Sequence, residues 1–296
     1  MTERRHPLLS KLVAGGGASI LSKTCVAPFD RTKLLLQTSS SPSSSRSPVR
    51  ILSSIVKHQG VPALWRGNFA NCVRVFPSYA LRFAFFDFYQ NLVSSGASPD
   101  APLPAWRQLV SGGLSGATTL TLTYPLDLLR TRLATNSSTG IRPTLITAAT
   151  NTLKAEGVLG LYRGYVISVI EITPYLALSM GGYNWLKDKY ESRPDQQKGS
   201  PLKNLLFGWM SGTTASLVCY PMDTIKRRMM LLGSVDHGSW AASVSGENIR
   251  ATFRDVLAGH GGVRGLYAGC MVNALNSGPA AAITFAANDM LREMLL

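Results

Sequence analysis

Three times along the chain an apolar stretch ends in Pro-x-Asp with a basic residue three positions beyond the aspartate: Pro28, Asp30 and Lys33; Pro125, Asp127 and Arg130; Pro221, Asp223 and Lys226. Each set is followed by a Gly-x4-aromatic segment. These run from Gly60 to Trp65, then Arg66 and Gly67; from Gly157 to Tyr162, then Arg163 and Gly164; and from Gly262 to Tyr267, then Ala268 and Gly269. Matched features in one order, three times over, are the mark of a repeat architecture. The chain therefore reads as a single threefold pseudo-symmetric unit, with repeats spanning approximately 8–98, 104–195 and 201–296, and not as independent domains.

Charged residues make up 16% of the chain, against roughly 25% in soluble proteins, so something other than water faces much of it. Leu109 to Leu126, Asn204 to Met222 and Gly265 to Asn288 carry no charge; Leu12 to Pro28 carries Lys23, Tyr165 to Leu186 carries Glu171, and Gly67 to Phe86 carries Arg74 and Arg82. Such stretches match the roughly 20 residues a helix needs to cross a bilayer. The expectation is an all-α membrane protein with six transmembrane helices, two per repeat, and the Gly-x4-aromatic segment in the loop that joins each pair.

Equivalent positions add detail. Thirteen and nine residues before the repeat prolines stand Gly15 and Ser19, Gly112 and Gly116, Gly208 and Gly212. Small residues four apart predict close helix contact within a bilayer. Ten residues after Gly67, Gly164 and Gly269 come Pro77, Pro174 and Pro279, which predicts a kink at one depth in each even helix. Basic residues concentrate within repeats, at Arg46, Arg50, Lys57, Arg142, Lys154, Arg250, Arg254 and Arg264, whereas 94–105 has none. The positive-inside rule then turns the intra-repeat loops to the inner compartment and both termini outward. Thr38 to Pro48 and Gly233 to Gly246 read as loop inserts.

The net charge of +14 points, in a membrane protein, to anionic lipid or anionic substrate. No nucleic-acid-binding pattern accompanies it, so nucleic acid is set aside. Cys25, Cys72, Cys219 and Cys270 lie singly in apolar runs and read as buried free thiols, while the histidines at 6, 58, 237 and 260 fall in the terminus or in loops. Neither set suggests a metal site. No Ser/His/Asp set, Walker loop or dinucleotide glycine motif is present, so neither catalysis nor a cofactor is expected.

These motifs resemble the mitochondrial carrier family, whose pattern is Pro-x-[Asp/Glu]-x-x-[Lys/Arg] followed by Gly-x4-aromatic-[Lys/Arg]-Gly, three times per chain. The resemblance covers nearly the whole sequence. SKTCVAPFDRTKLLLQ (Ser22 to Gln37), WRGNFANCVRVFPSYALRFAF (Trp65 to Phe85) and YPLDLLRTRLA (Tyr124 to Ala134) look most like ADP/ATP carriers, and CoA-type carriers share much of the second string. YPMDTIKRRMML (Tyr220 to Leu231) departs from the ADP/ATP hallmark RRRMMM in Lys226 and Leu231.

The resemblance implies six helices around a central cavity, a monomer in the mitochondrial inner membrane, and an anionic lipid such as cardiolipin as partner. It implies an inner gate that pairs Asp30 with Arg130, Asp127 with Lys226 and Asp223 with Lys33, braced by Gln37. It also implies an outer gate at Asp87, Gln90, Asn184, Lys187, Asp289 and Arg292, in which Asp87 to Lys187 is the one complete pair between repeats. A thin outer gate should open at little energetic cost. Substrate-contact positions fall on Arg74, Glu171 and Asn276, with Ile172 and Tyr175 beside them.

Equivalent positions that differ between repeats must answer to an asymmetric ligand. Lys23 is matched by Leu120 and Ser216, and Arg82 by Ser179 and Thr284. Charges at this depth mark a functional site, and Lys23, Arg74 and Arg82 suit phosphates. Glu171 could neutralise Arg74 or Arg82, bind a substrate amine, or carry a proton. The function implied is antiport of a nucleotide-like or phosphorylated anion, ADP/ATP exchange first. The alternatives are CoA or another nucleotide-bearing cofactor, a zwitterionic metabolite, a proton leak, or a structural protein that moves nothing.

Overall fold

The structure is a computed structural model describing residues 7–38, 47–93, 105–136, 143–191, 201–233, 249–259 and 262–295. Most of both expected loop inserts, the 94–104 linker, and His6, His237 and His260 lie outside the described residues; His58 stands on a helix and not in a loop. Six long helices carry the fold: α1 Pro7–Thr38, α3 Asn68–Val93, α4 Ala105–Thr135, α6 Tyr165–Glu191, α7 Pro201–Leu231 and α10 Cys270–Leu295. At about 1.5 Å per residue, 26 residues already outreach a hydrocarbon core of about 30 Å. Each long helix runs on through its proline, Pro28, Pro77, Pro125, Pro174, Pro221 or Pro279.

Among the described residues four shorter α-helices lie between them: α2 Pro48–Gln59, α5 Leu145–Gly160, α8 Ile249–Gly259 and the single turn α9 Val263–Leu266, with a 3-10 turn at Val61–Trp65. The membrane-length argument does not reveal α2, α5 and α8, because they are short and amphipathic. Ile55 on α2 and Thr152 on α5 turn inward while their neighbours stay exposed, and Val256 on α8 is buried between half-buried neighbours.

The helices form a closed ring. The largest interfaces join α3 to α4, α6 to α7 and α10 to α1, so each repeat's even helix packs on the next repeat's odd helix. The odd helices α1, α4 and α7 also touch one another pairwise, whereas the even helices make no comparable contact among themselves. The buried apolar core gathers at the end of the bundle that carries the short helices, in clusters around Ile225, Met229 and Val256, around Tyr124, Leu128 and Met230, and around Ile55 and Leu64.

The joining segment is a tight turn bracketed by two glycines in every repeat. Gly60 and Gly67, Gly157 and Gly164, Gly262 and Gly269 all have φ between 66° and 81°, a region that side-chain-bearing residues rarely adopt. The second glycine has an additional reason to lack a side chain. A Cβ would stand 2.9 Å from the Arg130 carbonyl at Gly67, 3.2 Å from that of Lys226 at Gly164, and 3.2 Å from that of Lys33 at Gly269. Each turn is thus seated on the backbone of the next repeat's basic signature residue.

Along the long helices large apolar side chains face outward, among them Phe83, Phe88, Leu92, Trp185 and Met290, as a lipid-facing surface requires. Cys25 is exposed on the same terms, Cys72 and Cys270 are half-buried, and Cys219 alone among the described cysteines is buried as expected. By hydropathy one helix among the described residues qualifies to span a membrane by itself, α6 over Tyr165–Tyr190, with mean hydropathy 1.2. The other five are diluted by Ser, Thr and Gly, many of which line the interior: Ser19, Ser22, Gly116, Thr119, Thr123 and Thr284 all face the central cavity. The small-residue stripe is only partly in contact in this conformation: Ser19 bonds Tyr79 at 3.0 Å and a Cβ at Gly112 would meet Phe86 at 3.9 Å. A Cβ added at Gly15, Gly116, Gly208 or Gly212 would meet nothing within 4 Å. Tight approaches occur instead at Gly17 against Leu291, Gly182 against Ser211 and Gly278 against Trp209.

Candidate substrate cavity and inner charge ring

The convergence of the odd helices brings the six repeat charges together at one end of the bundle. Lys33 lies 2.8 Å from Asp223, Arg130 lies 2.8 Å from Asp30, and Lys226 lies 3.9 Å from Asp127. Gln37 donates to the same Asp223 oxygen that holds Lys33, at 3.0 Å, and Lys33 sits over the Tyr220 ring. All these side chains are at most one-fifth exposed, so the pairs act in a medium that screens charge poorly.

Three further residues join the ring, and the sequence foretold none of these contacts. Arg227 spans two aspartates, Nη1 standing 3.4 Å from Asp127 and Nε 3.4 Å from Asp223. Asn276 donates to Asp30 at 2.9 Å. Glu171 comes within 3.8 Å of Lys226, so its carboxylate is engaged by the ring and, among the described residues, pairs with neither Arg74 nor Arg82, the partners that one of its three expected roles called for. The reason is position: Glu171 and Asn276 stand at equivalent places on α6 and α10, and both reach inward to the ring.

Beyond the ring lies a cavity of about 550 Å³ lined by Lys23, Arg74, Arg82, Ile172 and Tyr175, with hydroxyls from Ser19, Ser22, Ser78 and Thr123. Among the described residues none of Lys23, Arg74 and Arg82 forms an ion pair, and the Arg74 Nε is buried without a hydrogen-bond partner. Glu171 and Asn276 are not among the lining residues. At the outer end Asp87 and Asp289 are exposed and Lys187 is half-buried. No ion pair joins Asp87 to Lys187 among the described residues, and the side chain of Arg292 lies outside them.

A second threefold device went unread in the sequence. Arg31 donates from Nε to the Ala134 carbonyl, Arg132 to that of Met230 and Arg228 to that of Gln37, each at 2.9 Å. All three acceptors lie nine residues after a repeat proline, and all three guanidinium groups are buried. Each repeat therefore satisfies the open carbonyls at the end of the next odd helix. Arg132 is held in turn by Glu156 at 2.6 Å, which also binds Arg163 at 2.8 Å. Arg132 and Arg228 occupy matching positions, but Arg31 comes from one turn earlier, which hides the set from a comparison of equivalent residues.

Six helices in a threefold ring, with charge pairs at one end and a cationic cavity behind them, define a membrane carrier for solutes. The model of the family described as mitochondrial carrier protein matches residues 4–96, 101–194 and 197–296, and the chain belongs to that family, whose members are multi-pass proteins of the mitochondrial inner membrane. Its relatives include the human mitochondrial coenzyme A transporter SLC25A42, 33% identical over 99% of this chain and 91% of the relative. The same transporter of Danio rerio is 32% identical over 97% and 88%. ADP/ATP translocase 4 of Macaca fascicularis is 36% identical over 85% and 86%.

Proposed function

We propose that this carrier exchanges a nucleotide-bearing, multiply phosphorylated anion across the inner membrane by alternating access, with a CoA-type substrate ahead of ADP and ATP. The observation that carries the reading is the set of three cations, Lys23, Arg74 and Arg82, facing one cavity without ion-pair partners among the described residues. Unpaired charge at membrane depth is expensive, and phosphate oxygens are its natural complement. A volume of about 550 Å³ falls within the range of small-molecule sites, about 300–1,000 Å³, and Tyr175 lies where a base can stack.

The ring is the inner gate of this cycle and the cavity its substrate site. The preference for a CoA-type substrate draws on relatives named as coenzyme A transporters that match almost end to end. Lys226 and Leu231 in the third signature also separate the chain from ADP/ATP exchangers. A zwitterionic substrate bound through Glu171 is disfavoured because Lys226 already engages that carboxylate. The protein works as a monomer with both termini outward. A cavity of about 800 Å³ between α6 and α8, bearing Arg163, Arg250 and Arg254, is suited to the headgroup of an anionic lipid.

Proteoliposomes loaded with CoA, ADP, ATP, AMP or inorganic phosphate test the reading. Uptake of labelled CoA should require an internal nucleotide-bearing anion and be competed weakly by phosphate. Uptake of phosphate alone, or proton flux without counter-exchange, refutes it.

A further inference from the structure

Two charged residues of the ring have no like-charged counterpart in the other repeats, and both adjoin Lys226. Arg227 corresponds to Leu34 and Thr131, and Glu171 to Arg74 and Asn276. With them the ring holds four acids, Asp30, Asp127, Asp223 and Glu171, against four bases, Lys33, Arg130, Lys226 and Arg227. Without them it holds three against three. The additions compensate each other in charge.

They also rearrange the ring. The two other signature pairs close to 2.8 Å, but Lys226 remains 3.9 Å from Asp127 because Arg227 takes that carboxylate at 3.4 Å. Arg227 is fixed there by a 2.9 Å bond to Thr131 Oγ1. Lys226 is left midway between Asp127 and Glu171, at 3.9 and 3.8 Å.

We propose that Glu171 and Arg227 form a compensated pair built into the inner gate, with Glu171 a gate-positioning residue that holds Lys226 and screens it from the anion in the cavity. The proposal rests on reading the ring as a gate. Without Glu171, Lys226 and Arg227 would share one full aspartate and part of another, leaving about one positive charge uncompensated beside the cavity. An anionic substrate would then be drawn onto Lys226 and held there. Tighter ground-state binding without equal gain at the transition between states slows turnover.

Glu171→Gln should therefore lower both the apparent KM and the maximal exchange rate, the latter on the order of tenfold. It should also lower the unfolding temperature of the purified carrier without substrate by a few degrees. Arg227→Leu, which installs the first repeat's residue, should lower that temperature too, and the double variant should be more stable and more active than the worse single. Should Arg227→Leu fail to fold, Arg227→Thr, the second repeat's residue, completes the cycle. Strict additivity in unfolding temperature overturns the pair. A raised KM with unchanged unfolding temperature in Glu171→Gln overturns it as well, because that is how a direct substrate ligand behaves. If the parent carries no nucleotide-bearing anion, the transport reading fails while the substrate-free unfolding cycle still decides the pair.

Discussion

Arg74 lines the cavity, belongs to no ion pair among the described residues and has a buried Nε without a partner. An arginine held this way gains little for the folded protein, so its removal should cost function before stability. Arg74→Ala is expected to abolish exchange while leaving the unfolding temperature within a degree or two; Lys23→Ala should raise KM more mildly, having one point charge where arginine presents a fork. Uptake by Arg74→Ala with the parent's apparent affinity would contradict the cavity assignment. The six signature charges were legible in the sequence because they fall at fixed offsets from repeat prolines, and the threefold axis dictates which aspartate meets which base. Glu171 and Asn276 were legible as unmatched positions, but their partners were not. Whether a side chain on an even helix turns to the cavity or reaches the ring depends on the rotation and depth of that helix, which offsets do not encode. Arg227 was hidden inside the run Lys226, Arg227, Arg228, whose three members do three different things.

Helix ends explain how the odd helices are held in a ring at all. Each ends against a buried guanidinium from the preceding repeat, and the carbonyl of each basic signature residue lies closely against a glycine turn. Arg228→Leu should leave the Gln37 carbonyl without that donor at a cost of about 1–3 kcal/mol, visible as a lower unfolding temperature with KM unchanged. The signature pairs are not equivalent in this geometry. Asp30 and Arg130 meet at 2.8 Å, and Asn276 can donate to one partner or accept from the other, whereas Asp127 and Lys226 are entangled with Arg227 and Glu171. Breaking a buried pair by one reversal costs about 3–5 kcal/mol. Reversing both members should recover more exchange for Asp30 with Arg130 than for Asp127 with Lys226. Equal recovery in the two double reversals would mean that the extra contacts are idle. The long helices and their order could be read from charge-poor runs of membrane length together with the repeat. The short helices α2, α5 and α8 could not, because at 11 to 16 residues their apolar faces resemble ordinary loop hydrophobics until the odd helices above them are placed.

At the scale of the whole molecule, the two ends differ in how much charge can hold them shut. The inner end has every signature pair plus Arg227, Asn276 and Glu171. The outer end has Gln90 and Asn184 where a threefold set would place a base and an acid. If the even helices converge as the proposed cycle requires, Asp87 would have Lys187 to meet, whereas Gln90 and Asn184 would leave the other two pairings incomplete. In the proposed cycle the conformation closed to the outside would then be held by one complete pair, while the ring at the other end holds three. Completing the outer set with Gln90→Lys and Asn184→Asp adds two pairs, each worth about 0.2–1 kcal/mol at an exposed site. Together they should shift the balance toward the outward-closed conformation by about 2- to 30-fold. The shift has a direction that rate alone would miss. Substrate added outside should protect the double variant less well against thermal unfolding than it protects the parent, because fewer molecules present the outward-facing cavity. Exchange should slow as leaving the outward-closed state becomes limiting, and added salt should restore part of the rate because these pairs are screened. Unchanged protection and an unchanged rate in the double variant would show that something other than charge at the helix ends sets the balance between the two conformations.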